Sequence, residues 1–188
     1  MTTLVLGLGL WWLTHLFPIY APGGRARAVA RLGEKPWKAL FALVSILAIW
    51  LMVRGFRAAP FIEIWSPPSW TVHINNLLML LAVFLLGAGH MKSPVARRVR
   101  HPMLASVVVW AVAHLLVNGD LAAFVLFGGM GLWAIVAIIG SNARDGEWTP
   151  PAVEGSGRLK FHVLATLVVF VAIVVIHGPI LGVRPLPG

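Results

Sequence analysis

Cysteine is absent from this chain of 188 residues. Disulfides, iron–sulfur clusters, thiolate-held haem and the covalent C-x-x-C-H haem attachment are therefore excluded. Acidic side chains are scarce as well, six against fifteen lysines and arginines, and charged residues make up only 11% of the chain. With no H-E-x-x-H and scarcely a carboxylate to bury, zinc hydrolysis has little to build on. Ser45 and Ser106 have no local pattern suggesting a Ser-His-Asp arrangement. The glycine-rich stretches GLGLWW and GGMG lie inside apolar runs instead of strand-to-helix turns. They read as close helix packing, and no phosphate loop is present.

Apolar residues, in contrast, make up 59% of the chain, and the mean hydropathy is +0.88. A soluble domain of this size has no core large enough to hide that surface, whereas a bilayer accepts it. The chain therefore reads as an integral membrane protein. Its net charge of +9 would suggest nucleic acid in a soluble protein. Here the basic residues sit in short connections beside apolar runs, where membrane orientation explains them, and no nucleic-acid partner is expected.

A spanning helix needs roughly 20 mostly apolar residues. Six segments meet that length, at about 3–20, 37–57, 70–90, 101–118, 120–139 and 160–181. The expected fold is an all-α bundle of six transmembrane helices forming one domain over residues 1–188. The fourth and fifth segments, joined by the turn NGD, should form an antiparallel hairpin, with Asn118 or Asp120 capping the second arm. Twelve basic residues fall on one side of this topology, while Arg54, Arg57 and Arg184 fall on the other. By the positive-inside rule both termini are outside. The N-terminus lacks a basic n-region and a small-residue cleavage site, so it reads as a retained helix. The stretch SNARDGEWTPPAVEGSGR, rich in proline and glycine, reads as a cytoplasmic loop.

Seven histidines in so apolar a chain demand an account. Ionisable groups within membrane spans face the bundle interior and mark function by default. His90, His101 and His162 fall at cytoplasmic helix ends, where a solvated interfacial position suffices. His15, His73, His114 and His177 lie deeper. Trp11 precedes His15, and Trp110 precedes His114, by four residues, so each pair shares a helix face. Asn76 follows His73 on its face. Two readings remain open from the residues alone. One is interhelical hydrogen bonding, worth about 1 kcal/mol or less per contact. The other is iron ligation by neutral imidazole, with Trp11, Trp12, Phe17, Trp110, Phe124 and Phe127 available to pack a macrocycle.

The stretch RHPMLASVVVWAVAHLLVNGDLAAFVLFGGMGLWA closely resembles the signature of the NnrU family of membrane proteins. HLFP, WSPPSWTVHINNLLMLLAVFLL and IHGPILGV extend the likeness over most of the chain. The resemblance implies a link to denitrification, around nitrite and nitric oxide reduction. The family is related to the haem b-containing cis-zeta-carotene isomerase, whose RHP…W…AH segment also separates its histidines by thirteen residues, as His101 and His114 are separated here. The likeness implies that His114 and His15 ligate haem iron, with His73 and His177 as other candidates. HLFP stands where that enzyme has HSG. The opening RHP is also similar to membrane methyltransferases for isoprenylcysteine and phospholipids, but no downstream glutamate pair follows, which disfavours methyl transfer.

The leading expectation is thus a haem b protein of the bacterial inner membrane, sensing or handling nitric oxide or passing electrons. Arg54 and Arg57 would neutralise the haem propionates. The alternatives are haem-dependent isomerisation of zeta-carotene or a similar polyene, which requires a lipid-open apolar groove, and a haem-free scaffold or transporter subunit. The expected partners are the bilayer, a small gaseous or polyene ligand and an unidentified redox protein.

Overall fold

A computed structural model of the protein describes residues 1–91, 93–152 and 157–182. Lys92 and Arg184, both used in the orientation argument, lie outside the described residues. The helices are α1 (Thr2–Tyr20), α2 (Pro22–Leu32), α3 (Glu34–Arg57), α4 (Thr71–His90), α5 (Pro102–Leu115), α6 (Leu121–Asp145) and α7 (Gly157–Leu181). No strand occurs among the described residues, only an isolated bridge between Glu63 and Asp120. Five of the helices, α1, α3, α4, α6 and α7, are long and apolar enough to cross a membrane, as a multi-pass membrane protein requires.

One expectation needs correction. The fourth expected span is only 14 residues as α5. At 1.5 Å per residue it covers about 21 Å, well short of a hydrocarbon core of about 30 Å. Pro102 starts the helix within a residue of the expected position, and the polar turn around Asn118 ends it three residues early. The first connection, to which the sequence reading gave no secondary structure, is the helix α2, with proline at its start and Gly33 (φ 87°) at its end. Proline at the first helical position and glycine after the last one bound it.

The main packing runs in the order α3–α1–α6–α5–α4–α7. Small residues let the backbones approach. A Cβ at Gly7 would sit 2.7 Å from the Met52 nitrogen, and one at Gly55 would meet the backbone of Leu4, which is completely buried. GLGLWW thus serves close packing at Gly7, although Gly9 faces open space. GGMG does so at Gly131 against Ala111 and at Gly129 against Leu8. Further ties fix α1 to α6, with Trp12 Nε1 donating to the Gly129 carbonyl (3.1 Å) and the Tyr20 hydroxyl to the Val136 carbonyl (2.9 Å).

The hairpin of α5 and α6 forms as expected, and Asp120 supplies the cap, its Oδ1 accepting from Ala123 N at 3.0 Å. Asn118 instead donates to the His114 carbonyl at 2.8 Å. Within α6, residues Phe124–Gly128 form one π-helical turn. Residues 58–70, between α3 and α4, make a strap over this end of the bundle. Ile64 N and Trp65 N both donate to the Gly119 carbonyl (2.7 and 3.1 Å), and Leu121 N donates to the Ile62 carbonyl (2.8 Å).

Candidate functional site

His114 occupies the last turn of α5, one helical turn after Trp110. Its Nδ1 lies 2.9 Å from the Trp110 carbonyl oxygen. A carbonyl can only accept, so Nδ1 carries the proton and Nε2 keeps its lone pair. No hydrogen bond engages that Nε2 among the described residues. An imidazole whose far nitrogen is anchored to a carbonyl is oriented as a metal ligand is, with fixed tautomer and raised basicity.

Aromatic rings hold the imidazole in place. Phe127 stacks on it with centroids 4.4 Å apart, and Trp110 lies at 5.0 Å. Phe127 in turn meets Trp110 at 4.9 Å and Phe56 of α3 at 6.2 Å. Phe127 belongs to the π turn of α6, whose extra residue shifts the register of side chains facing α5. Such turns recur at functional sites.

The same local device appears a second time. His15 Nδ1 lies 3.0 Å from the Trp11 carbonyl, which again leaves Nε2 with its lone pair. The His15 ring stacks on Trp11 at 3.7 Å and meets Phe41 at 4.9 Å and Trp133 at 5.5 Å. Trp11 Nε1 and Trp133 Nε1 are both buried without a hydrogen-bond partner. The spacing W-x-x-x-H put each pair on one face, and it also supplies the carbonyl that fixes the ring.

His15 and His114 are not brought into contact. The first sits among α1, α3 and α6, the second between α5 and α6. Their neighbours on α6, Trp133 and Phe127, are six residues apart, about 9 Å along the axis. His177 lies near the end of α7, half-buried. His73 is exposed in the first turn of α4. Arg54 and Arg57 lie at the end of α3 beside Phe56, the residue that joins the His114 cluster.

His162 departs from the solvated interfacial position expected of it. It is completely buried, stacks on Phe84 at 4.2 Å, and its Nε2 donates to the Phe84 carbonyl at 2.8 Å. Gly87 makes this possible, because a Cβ there would come within 3.0 Å of the ring. Nothing in the sequence showed that α7 would lay its sixth residue against a glycine of α4. His90 is exposed, and His101 is half-buried, with Nε2 2.9 Å from the Asn142 side-chain oxygen.

Among the described residues, no three histidines or carboxylates gather to hold a bare metal ion. Haem asks less of the protein, because the porphyrin supplies four nitrogens and the chain need add only one or two imidazoles. Two anchored imidazoles with free Nε2 atoms and aromatic walls fit that requirement. A family model described as NnrU protein matches residues 3–185. No curated protein and no solved structure gave a match.

Proposed function

From the premise that the chain belongs to the NnrU family, we propose that it is a haem b protein of the bacterial inner membrane serving nitrite and nitric oxide metabolism. The observation that carries this reading is the His114 imidazole, anchored through Nδ1 to the Trp110 carbonyl and open at Nε2. Bound haem would supply an iron centre able to bind nitric oxide or pass single electrons. The chain's own contributions follow from its residues. The Trp110 carbonyl holds the tautomer, and the Phe127 stack fixes the rotation of the ring. The strap of residues 58–70 holds the turn that follows α5, through Ile64 N and Trp65 N on the Gly119 carbonyl. Arg54 and Arg57 suit the two propionates, since guanidinium pairs with carboxylate in a bidentate fork. His15 offers the second prepared imidazole, and His177 is the other candidate.

The test is an absorption spectrum of the detergent-purified protein, oxidised and then reduced with dithionite, together with a pyridine haemochrome assay. A Soret band with sharp reduced α and β bands is expected. His114→Ala should abolish them, and full haem occupancy in that variant would sink the assignment. His15→Ala and His177→Ala then identify the second ligand, because loss of one axial nitrogen turns a low-spin spectrum high-spin.

One observation favours the polyene reading as a second possibility. An apolar groove of about 300 Å³ lies between α4 and α7, lined by Leu77, Leu81, Phe84, Val163 and Leu167 among others. It is of the kind a hydrocarbon chain could enter from the bilayer, and it lies at the small end of ligand pockets. Co-expression with a pathway that makes cis-zeta-carotene tests it, and an unchanged isomer ratio would count against isomerase activity.

A further inference from the structure

Alanine, arginine and leucine favour helix in RARAVARL, but α2 buries none of its residues inside the protein. Eleven residues is below the length at which isolated helices persist in water, about 12–15. Pro-Gly-Gly opens it, and none of its residues is buried. It carries Arg25, Arg27 and Arg31 and no acidic residue. Arg27 and Arg31 are one turn apart on one face, a spacing at which like charges oppose helix formation. Glu34, at the start of α3, is the sole acidic neighbour in an ion pair there, 3.9 Å from Arg25 and 3.1 Å from Lys38. Among the described residues no ion pair engages Arg27, Arg31 or Lys35, and all three are exposed.

The position of α2 indicates what lies opposite. It joins the end of α1 to the start of α3, two helices long and apolar enough to span, so it lies at one face of the bilayer. Its contact with the bundle runs through Gly24 against the Phe17 ring, and Phe17 meets Trp37 of α3 at 6.2 Å. Leu32 is half exposed at the other end of the helix. The helix thus rests on an aromatic pair while its arginines are exposed.

We propose that α2 is a docking surface for anionic phospholipid, with Arg25, Arg27, Arg31 and Lys35 binding lipid phosphates and the helix held in place by them. Charge complementarity selects the occupant: four basic groups, one nearby carboxylate, and a bilayer leaflet within reach. Guanidinium meets phosphate in a bidentate fork, so arginine outnumbers lysine where such contacts matter. Clusters of this kind beside a membrane helix gain about fivefold in binding per basic residue. The proposal is independent of haem.

The absence of cysteine makes the test direct. Ala30, exposed on α2, is replaced in Ala30→Cys and spin-labelled, and the otherwise intact protein is placed in vesicles. In vesicles of phosphatidylcholine with one quarter phosphatidylglycerol the label should be immobilised, and in pure phosphatidylcholine it should be mobile. Adding Arg25→Gln, Arg27→Gln and Arg31→Gln should remove the difference, lowering the ratio of immobile to mobile label by roughly a hundredfold. The corresponding triple lysine variant, which keeps the charge and guards against misorientation, should retain most of it. Equal mobility in the two vesicles, or a difference that survives the glutamine variant, would overturn the proposal. So would immobilisation in detergent by inorganic phosphate alone, which would make a free anion the ligand in place of lipid.

Discussion

The strap over the α5–α6 turn should open if Gly119 gains a single methyl group. Gly119 has no positive φ, so alanine meets no backbone penalty there and the effect is purely steric. A Cβ would overlap the Trp65 carbonyl oxygen and come within 3.1 Å of Pro67 Cδ. The strap must then lift away from the turn. Three backbone hydrogen bonds depend on that contact, two to the Gly119 carbonyl and one from Leu121 N to Ile62. At about 1 kcal/mol each, their loss raises the opening equilibrium by on the order of a hundredfold. Hydrogen exchange in detergent reads this directly, because the amides of Ile64, Trp65 and Leu121 should lose protection together. Gly9→Ala, where nothing lies within 4 Å, should leave them unchanged. If Gly119→Ala keeps those three amides as protected as before, the strap is not held by this turn and the reasoning fails.

Three further outcomes are expected. Gly55→Ala forces α3 away from the Leu4 backbone, and overpacking of this kind costs about 1–3 kcal/mol, read as a lower Tm than Gly9→Ala gives. His162→Leu removes the side-chain donor to the Phe84 carbonyl, which keeps only its helical bond, a loss of about 1 kcal/mol, whereas His162→Gln, which can still donate, should melt closer to the parent. Asp120→Ala removes the cap on Ala123 N and should cost about 1 kcal/mol in thermal unfolding, most of it recovered by Asp120→Asn.

How far the sequence could be read depended on whether a signal was local. Apolar runs located α1, α3, α4, α6 and α7 to within a few residues, except that α6 continues to Asp145, beyond the apolar stretch. Its extension carries Asn142, which meets His101, and Arg144, which pairs with Asp145. Hydropathy cannot see such polar turns. The W-x-x-x-H spacings were legible as shared faces, yet the partners Phe127, Phe41 and Trp133 come from other helices and carry no sequence mark. His162 shows the limit most clearly. Its depth along α7 was read correctly as near a helix end, but burial was decided by Gly87, seventy-five residues earlier in the chain.

The shortness of α5 connects the strap to the histidine. Gly89 lies against Pro102, so α4 and α5 are level at that end of the hairpin they share. From there α4 runs 20 residues and α5 only 14, so α5 stops about 9 Å before its neighbour does. The chain from Leu116 to Asp120 therefore turns below the level at which the other helices end, where non-helical backbone is tolerated only if protein satisfies it. The structure provides that satisfaction in full view: Asn118 caps the His114 carbonyl, Asp120 caps α6, and the strap takes up the Gly119 carbonyl. A helix carried on past Leu115 would satisfy its own backbone there and would need neither the Asn118 contact nor the strap. The truncated helix instead ends one residue after His114, with the rings of Phe127 and Trp110 beside the imidazole and the strapped polar turn following it in the chain. Lengthening α5 by one turn, with four alanines inserted after Leu115, should therefore detach the strap and expose His114 to water-soluble reagents such as diethyl pyrocarbonate. Unchanged reactivity of His114 in that variant would show that helix length does not set its depth.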